Sequence, residues 1–392
     1  MAAAVLLVVA AACSGDSAPG HTFEVITEDG VPTAVSSAQP KFDGELFTYE
    51  KVLEIRGNPD HPEAFLYDPY DLALDDAGNV YVVEQGNHRV SVWDSEGNYL
   101  HSFGHAGQGP GELPFGPVLI TLRDRILAVP MLQNGTALRF RTDGTYIDTV
   151  GHDSITRSVF DAWKSPDESL VLVGQQCDRQ SEPMQCGLRA TVFGTGGEVR
   201  STLDAGTVAS ANYSGRAMAI LIPNGQEILL TTGVEPVLRW YDLDGTLTRQ
   251  ARIELPVEPV SQAERDAQIA RYDQRIEELE GRQRDNWIRM RDEIGFPETK
   301  AFWAYSIADD EGYLWLSKPM AELVDYEVNF TVAFRVVSPG GEYLGDTQPP
   351  PLRGSSRIYR GRYLALVFDA ESGEQVPTVF RLRPRHADFA YP

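Results

Sequence analysis

YDLALDDAGNVYVVEQGNHRVSVWDSEGNYLHSFG, residues 70–104, contains four short runs of alternating or β-branched residues with turn residues between them. The runs fall at 70–74, 80–83, 89–93 and 99–103, and the turns are Asp76-Ala77-Gly78-Asn79, Gln85-Gly86-Asn87 and Ser95-Glu96-Gly97-Asn98. Period-two patterning bounded by Gly, Asn and Asp marks strands joined by tight hairpins. Four antiparallel strands in so short a stretch describe one blade of a β-propeller.

The pattern returns along the chain. The third run and its turn recur as ALRFRTDGTYIDTVG (137–151), ATVFGTGGEVRSTL (190–203), VLRWYDLDGTLTRQARI (237–253) and VAFRVVSPGGEYLG (332–345). Each has an apolar strand meeting a turn that tolerates positive φ, and then another strand. Five complete units are legible, and a sixth is divided between the termini. SSRIY, RYLALVFD and TVFRLRP supply three strands before the chain ends, and LFTYEKVLEIRG (46–57) is a lone strand ahead of the first unit. Pairing that strand with the last three closes the ring and removes its free edges. The expected fold is therefore all-β: a six-bladed propeller over 43–392 with a velcro closure.

The third-to-fourth strand turns and the glycine-rich exit add a resemblance. DDAGNVYVVEQGNHRVSVWDSEGNYLHSFGHAGQGPGEL is similar to an NHL repeat, the unit of bacterial six-bladed propeller proteins, through Asp75, Gly78, Asn79, Tyr81, Gly86, Asn87, Arg89, Gly104, Gly107 and Gly109. Only the first blade carries the motif; the others keep its rhythm. The motif letters read as structural, glycine and asparagine for turns and Arg89 for a contact between strands or blades.

With 34 Lys+Arg against 57 Asp+Glu, the formal net charge is −23. Such acidity repels phosphate backbones, so nucleic acid is not an expected partner. Three cysteines are too few for a disulfide scaffold and odd in number. Residues 2–12, AAAVLLVVAAA, form an apolar run too short to span a bilayer and read as an export signal. Ala10-Ala11-Ala12-Cys13 resembles a bacterial lipobox, which implies a signal peptide at 1–12, a diacylglycerol anchor on Cys13 and a place in the cell envelope, at the outer membrane or its periplasmic face. No Lys or Arg precedes the run, and Ala10 stands where leucine is usual. Ser-, Gly- and Pro-rich residues 13–42 read as a flexible tether. Cys177 and Cys186 lie between two β-like runs, a spacing that suits a disulfide at the base of a hairpin in an exported chain; two free thiols are the alternative.

Between the fourth and fifth units, residues 260–297 change period. Ile269, Tyr272, Ile276, Leu279, Trp287, Met290 and Ile294 form one helical stripe, with Ser261 and Glu264 as a capping box and Gly281 as a place to bend. This helical insertion is expected to lie across a face or rim of the propeller, or to meet a partner.

Chemistry is much less legible. Aligned on their first turns, Asp71 and Asp161 fall at the same place, seven residues before Gly78 and Glu168, and Tyr305 corresponds in another unit. All three are candidate ligand-binding residues of the central channel. Two carboxylates there could hold Ca²⁺, with no other cofactor expected. The histidines stand off the first strands, which argues against a zinc lyase, and no nucleophile-elbow, Walker A or zincin motif occurs. The expectation is a non-catalytic binding module for a protein, peptide or glycan ligand, membrane-associated through lipid alone. A metal-dependent, gluconolactonase-like hydrolase or lyase is the alternative.

Overall fold

The computed structural model describes residues 18–392 except 59, 108, 114–119, 124, 132–134, 152–157, 166, 179–184, 206–217, 222–225, 305, 320–331, 352–355 and 392. Six sheets form a six-bladed β-propeller. Blade one is Pro69–Leu74, Val80–Glu84, Arg89–Trp93 and Tyr99–Phe103, each strand antiparallel to the next. Blades two to five follow in chain order and end at Gly151, Asp204, Glu254 and Thr347. Blade six combines Ser356–Tyr359, Arg362–Asp369 and Glu374–Pro384 with Phe47–Glu54 as its outermost strand. The velcro closure is thus present where the lone N-terminal strand predicted it.

Alternation along each strand sorts side chains to two neighbours. In Val80–Glu84, Val80 and Val82 pack with Leu364, Leu366 and Val379 of blade six, whereas Tyr81 and Val83 pack with Leu127, Val129 and Phe140 of blade two. Both faces are covered, so the whole strand is buried. Six apolar clusters fill the six interfaces between blades in this way. Apolar burial, the dominant favourable term in folding, is distributed around the ring.

The N-terminal region corrects the tether expected over 13–42. Phe23–Glu28 and Val31–Ser37 form a hairpin whose second strand pairs in parallel with Leu247–Glu254 at the rim of blade four, making that sheet six-stranded. Asp29 (φ 48°) and Gly30 (φ 85°) occupy its turn, the positive-φ pair that matches strand twist. Thr33, Ala34, Val35 and Ser36 are buried against blade four. The backbone of Lys41 and Phe42 then bonds to Tyr343 and Leu344 of blade five. Residues 13–17 lie outside the described residues, as does the predicted signal.

The insertion is two helices, α1 (Gln262–Glu277) and α2 (Gly281–Asp292), in place of one long one. Ser261 and Glu264 form the predicted capping box. Gly281 takes φ 56° at the break, a conformation that only glycine adopts at little cost. The helices pack on each other through Tyr272 and Trp287, whose rings lie 5.4 Å apart, and through an Arg291–Asp273 ion pair of 2.6 Å. Tyr272 and Ile276 of the apolar stripe are buried, and Met290 is left half exposed.

Candidate functional site: the central channel and its mouth

Sequence register placed Asp71 and Asp161 at equivalent positions, and the geometry agrees in detail. Each follows a register irregularity between the first and second strands of its blade, and each accepts a 2.9 Å hydrogen bond from the next backbone N–H, Leu72 or Ala162. Seven residues on, Gly78 and Glu168 both have positive φ at 88° and 64°. Tyr305 lies outside the described residues.

Asp71 is fully buried and joins three blades. Ile120 N–H of blade two donates to its Oδ2 at 3.0 Å, and Arg357 of blade six donates to the same oxygen through Nη2 at 2.5 Å and to Oδ1 through Nε at 3.3 Å. Arg357 lines the channel with 29% of its side chain accessible. Burial alone would lower the guanidinium pKa; Asp71 beside it, with Asp161 adding to the field, outweighs burial and raises it. A cation already faces both predicted aspartates, and it is a side chain. For Asp71 to ligate Ca²⁺, Arg357 would have to leave. Among the described residues, no three His, Cys, Asp or Glu side chains converge as a metal site.

The channel widens to a cavity of about 1010 Å³ at the face formed by the first turns. Asp76, Arg125, Asp161, Asp310, Tyr359 and Arg360 are among its lining residues. Arg360 pairs with Asp76 at 3.1 Å, Tyr359 Oη donates to the same carboxylate at 2.5 Å, and Arg360 N–H donates to Asp310 at 2.9 Å. Arg125 is exposed at a positive-φ turn position (61°). Charges of both signs therefore line a wide opening.

Asp309, also on this wall, is fully buried. It accepts from Glu311 N–H, Tyr313 N–H, Trp315 Nε1 and, at 2.7 Å, Tyr391 Oη. Burial outweighs these donors and pushes its carboxyl up to about 6. The aspartate is a turn residue: Asp75 of blade one caps two backbone N–H groups in the same way. In blade one Asn79 Nδ2 and Tyr81 Oη complete that carboxylate's shell at 2.9 and 3.1 Å.

The remaining letters of the first-blade motif are likewise structural. Buried Glu84 accepts from Arg89 Nε (3.0 Å), Asn87 Nδ2 (2.5 Å) and Tyr67 N–H (3.0 Å), tying the loop before blade one to its second hairpin. A Cβ at Gly86 would sit 2.2 Å from the Tyr67 ring. Cys177 and Cys186 are direct cross-strand partners in blade three.

Fold and channel define the class, a six-bladed propeller with an ion-paired axis. A candidate exported protein from Bacteroides fragilis superposes with a TM-score of 0.54 at 9% identity, covering 90% of this chain and all of that one. A member of the duf4221 family from Bacteroides vulgatus gives 0.49 at 12%, covering 86% and 98%. A gluconolactonase from Xanthomonas campestris gives 0.41 at 12%, covering 86% and 95%. No protein-family profile matches the chain, and no curated protein matches it in sequence.

Proposed function

We propose that the chain is an exported, lipid-anchored propeller that binds a protein, peptide or glycan ligand at the channel mouth and leaves it chemically unchanged. The observation that carries this reading is the Arg357–Asp71 pair: the carboxylate best placed for metal or acid–base work is saturated by a guanidinium and two backbone donors. The wide mouth beyond it offers hydrogen-bonding groups of both charges, which suits recognition of a polar surface. Export rests on residues 1–13, on the similarity of Ala10-Ala11-Ala12-Cys13 to a lipobox, and on the description of the Bacteroides fragilis neighbour. The directly opposed cysteines suit a disulfide, because cross-strand Cα separations of roughly 4.5–5.5 Å fall within its range.

Calorimetry of the mature chain against a panel of oligosaccharides and short peptides tests the binding claim. A hit that loses affinity in Arg125→Ala and Asp310→Ala and is recovered intact by mass spectrometry supports it. Lactone hydrolysis that requires added Ca²⁺ and disappears in Asp161→Asn would instead establish the metal-dependent hydrolase. Mass spectrometry of the mature N-terminus addresses the anchor: a chain beginning at unmodified Cys13 refutes it.

A further inference from the structure

Blade six concentrates positive charge in a strongly acidic protein. Arg362 and Arg381 are direct cross-strand partners, so their side chains leave the same face of the sheet. Arg383 follows two residues after Arg381 on that face, and Arg360 occupies the adjoining turn. These four arginines, with Tyr391, line a cleft of about 300 Å³. Glu50, opposite Arg381 on the outermost strand, accepts from Arg383 at 3.1 Å and lies 3.8 Å from Arg381; Arg360 is engaged with Asp76. Among the described residues no carboxylate pairs with Arg362.

Like charges placed directly opposite in a sheet destabilise it unless something neutralises them. Several arginines elsewhere in the chain stand against a carboxylate of their own, as at Arg139–Asp148, Arg189–Asp204 and Arg252–Glu28. On this face three guanidiniums meet one half-exposed glutamate, which reaches only two of them. The guanidinium fork matches the oxygens of phosphate and sulfate esters, and the cleft is large enough for one such group with part of its carrier. A carboxylate fits less well, because Glu50 already supplies one and leaves Arg362 without a partner.

We infer that the Arg360/Arg362/Arg381/Arg383 cleft is an oxyanion-binding site that takes a phosphate or sulfate ester group of a ligand. Arg360 borders both this cleft and the channel mouth, whereas Arg362, Arg381 and Arg383 are not among the mouth's lining residues, so variants at those three test the cleft independently of the channel-mouth reading. Free esters and lipid headgroups share this chemistry, and the test separates them.

Titration calorimetry of the mature chain with inorganic phosphate and with a sulfated disaccharide is expected to show saturable binding that weakens as salt rises. Affinity should fall at least about tenfold in Arg362→Gln/Arg381→Gln, in which two charge-assisted contacts are removed. It should rise in Glu50→Gln, where the internal competitor is gone; this second variant keeps the test decisive if the first misfolds. Sedimentation with phosphatidylglycerol vesicles that inorganic phosphate competes away assigns the ester to a headgroup, and binding of the soluble probes alone assigns it to a free ester. No binding of any probe to wild type or Glu50→Gln overturns the site. So does affinity that is unchanged in a double variant with native circular dichroism.

Discussion

Replacing Arg357 by methionine keeps most of the side-chain volume and removes the charge that holds Asp71. Breaking a buried pair from one side costs about 3–5 kcal/mol, because the remaining charge stays desolvated. Here Asp71 keeps its bonds from Leu72 and Ile120, at 2.9 and 3.0 Å, and the vacated space opens toward the channel. The lower end, about 3 kcal/mol, is therefore expected. A chain of this length has an unfolding entropy of about 0.8 kcal/mol/K, so calorimetry should show Tm lowered by about 4 °C. Asp71→Leu/Arg357→Met, in which both charges are gone, should recover most of the loss, and a double-mutant cycle should return a coupling of about 2 kcal/mol or more. The same variant tests the cation argument. Ca²⁺ should leave the wild-type Tm unmoved and raise that of Arg357→Met, in which Asp71 and Asp161 face the channel without their guanidinium. A Tm for Arg357→Met within about 1 °C of wild type, or additive single mutants, would refute the reasoning.

Asp309 makes stability depend on pH in an unusual sense. Its native carboxyl keeps a proton up to about pH 6, whereas the unfolded chain releases it near 3.8, so the native state binds more protons in that window and stability falls as pH rises through it. The penalty, about 3 kcal/mol above pH 6, should flatten in Asp309→Asn in chemical denaturation curves taken from pH 4 to 7. Deleting residues 18–40 should lower Tm and promote association, because it uncovers the outer edge of blade four and the apolar contacts of Ala34 and Val35. If Cys177 and Cys186 are joined, a ten-residue loop is closed, and Cys177→Ser/Cys186→Ser should cost about 2–3 kcal/mol of stability; identical masses for alkylated chain with and without reductant would show that no bond exists.

The parts legible in the sequence were those whose cause is local. Gly78, Gly97, Gly245 and Gly341 all have φ between 83° and 91°, and each marks a hairpin that the turn chemistry announced. The split sixth blade followed from counting strands, and the match between Asp71 and Asp161 followed from counting back from the turn. The N-terminal hairpin left the same kind of signal in Asp29-Gly30 between two alternating runs, but the Ser, Pro and Thr residues around it concealed the pattern. Buried Thr33 and Ser36 explain why the composition misled: Thr33 Oγ1 donates to Val31 O and accepts from Gln250 Nε2, and Ser36 Oγ accepts from Tyr343 N–H. Polar side chains can enter a sheet rim wherever the neighbouring strand offers partners.

Arg357 belongs to a different order of information. It is 286 positions from Asp71, in a four-residue strand whose other members carry no charge. Nothing local marks it, because its role arises only when ring closure brings blade six beside blade one. A charged residue on an innermost strand faces a narrow, shared axis, and its partner there can come from any blade. The productive question for such a sequence is therefore which inner-strand charges cancel one another. Here Arg357 of blade six bonds Asp71 of blade one, and Asp161 of blade three adds to the field around it, so the axial arginine draws on two other blades at once.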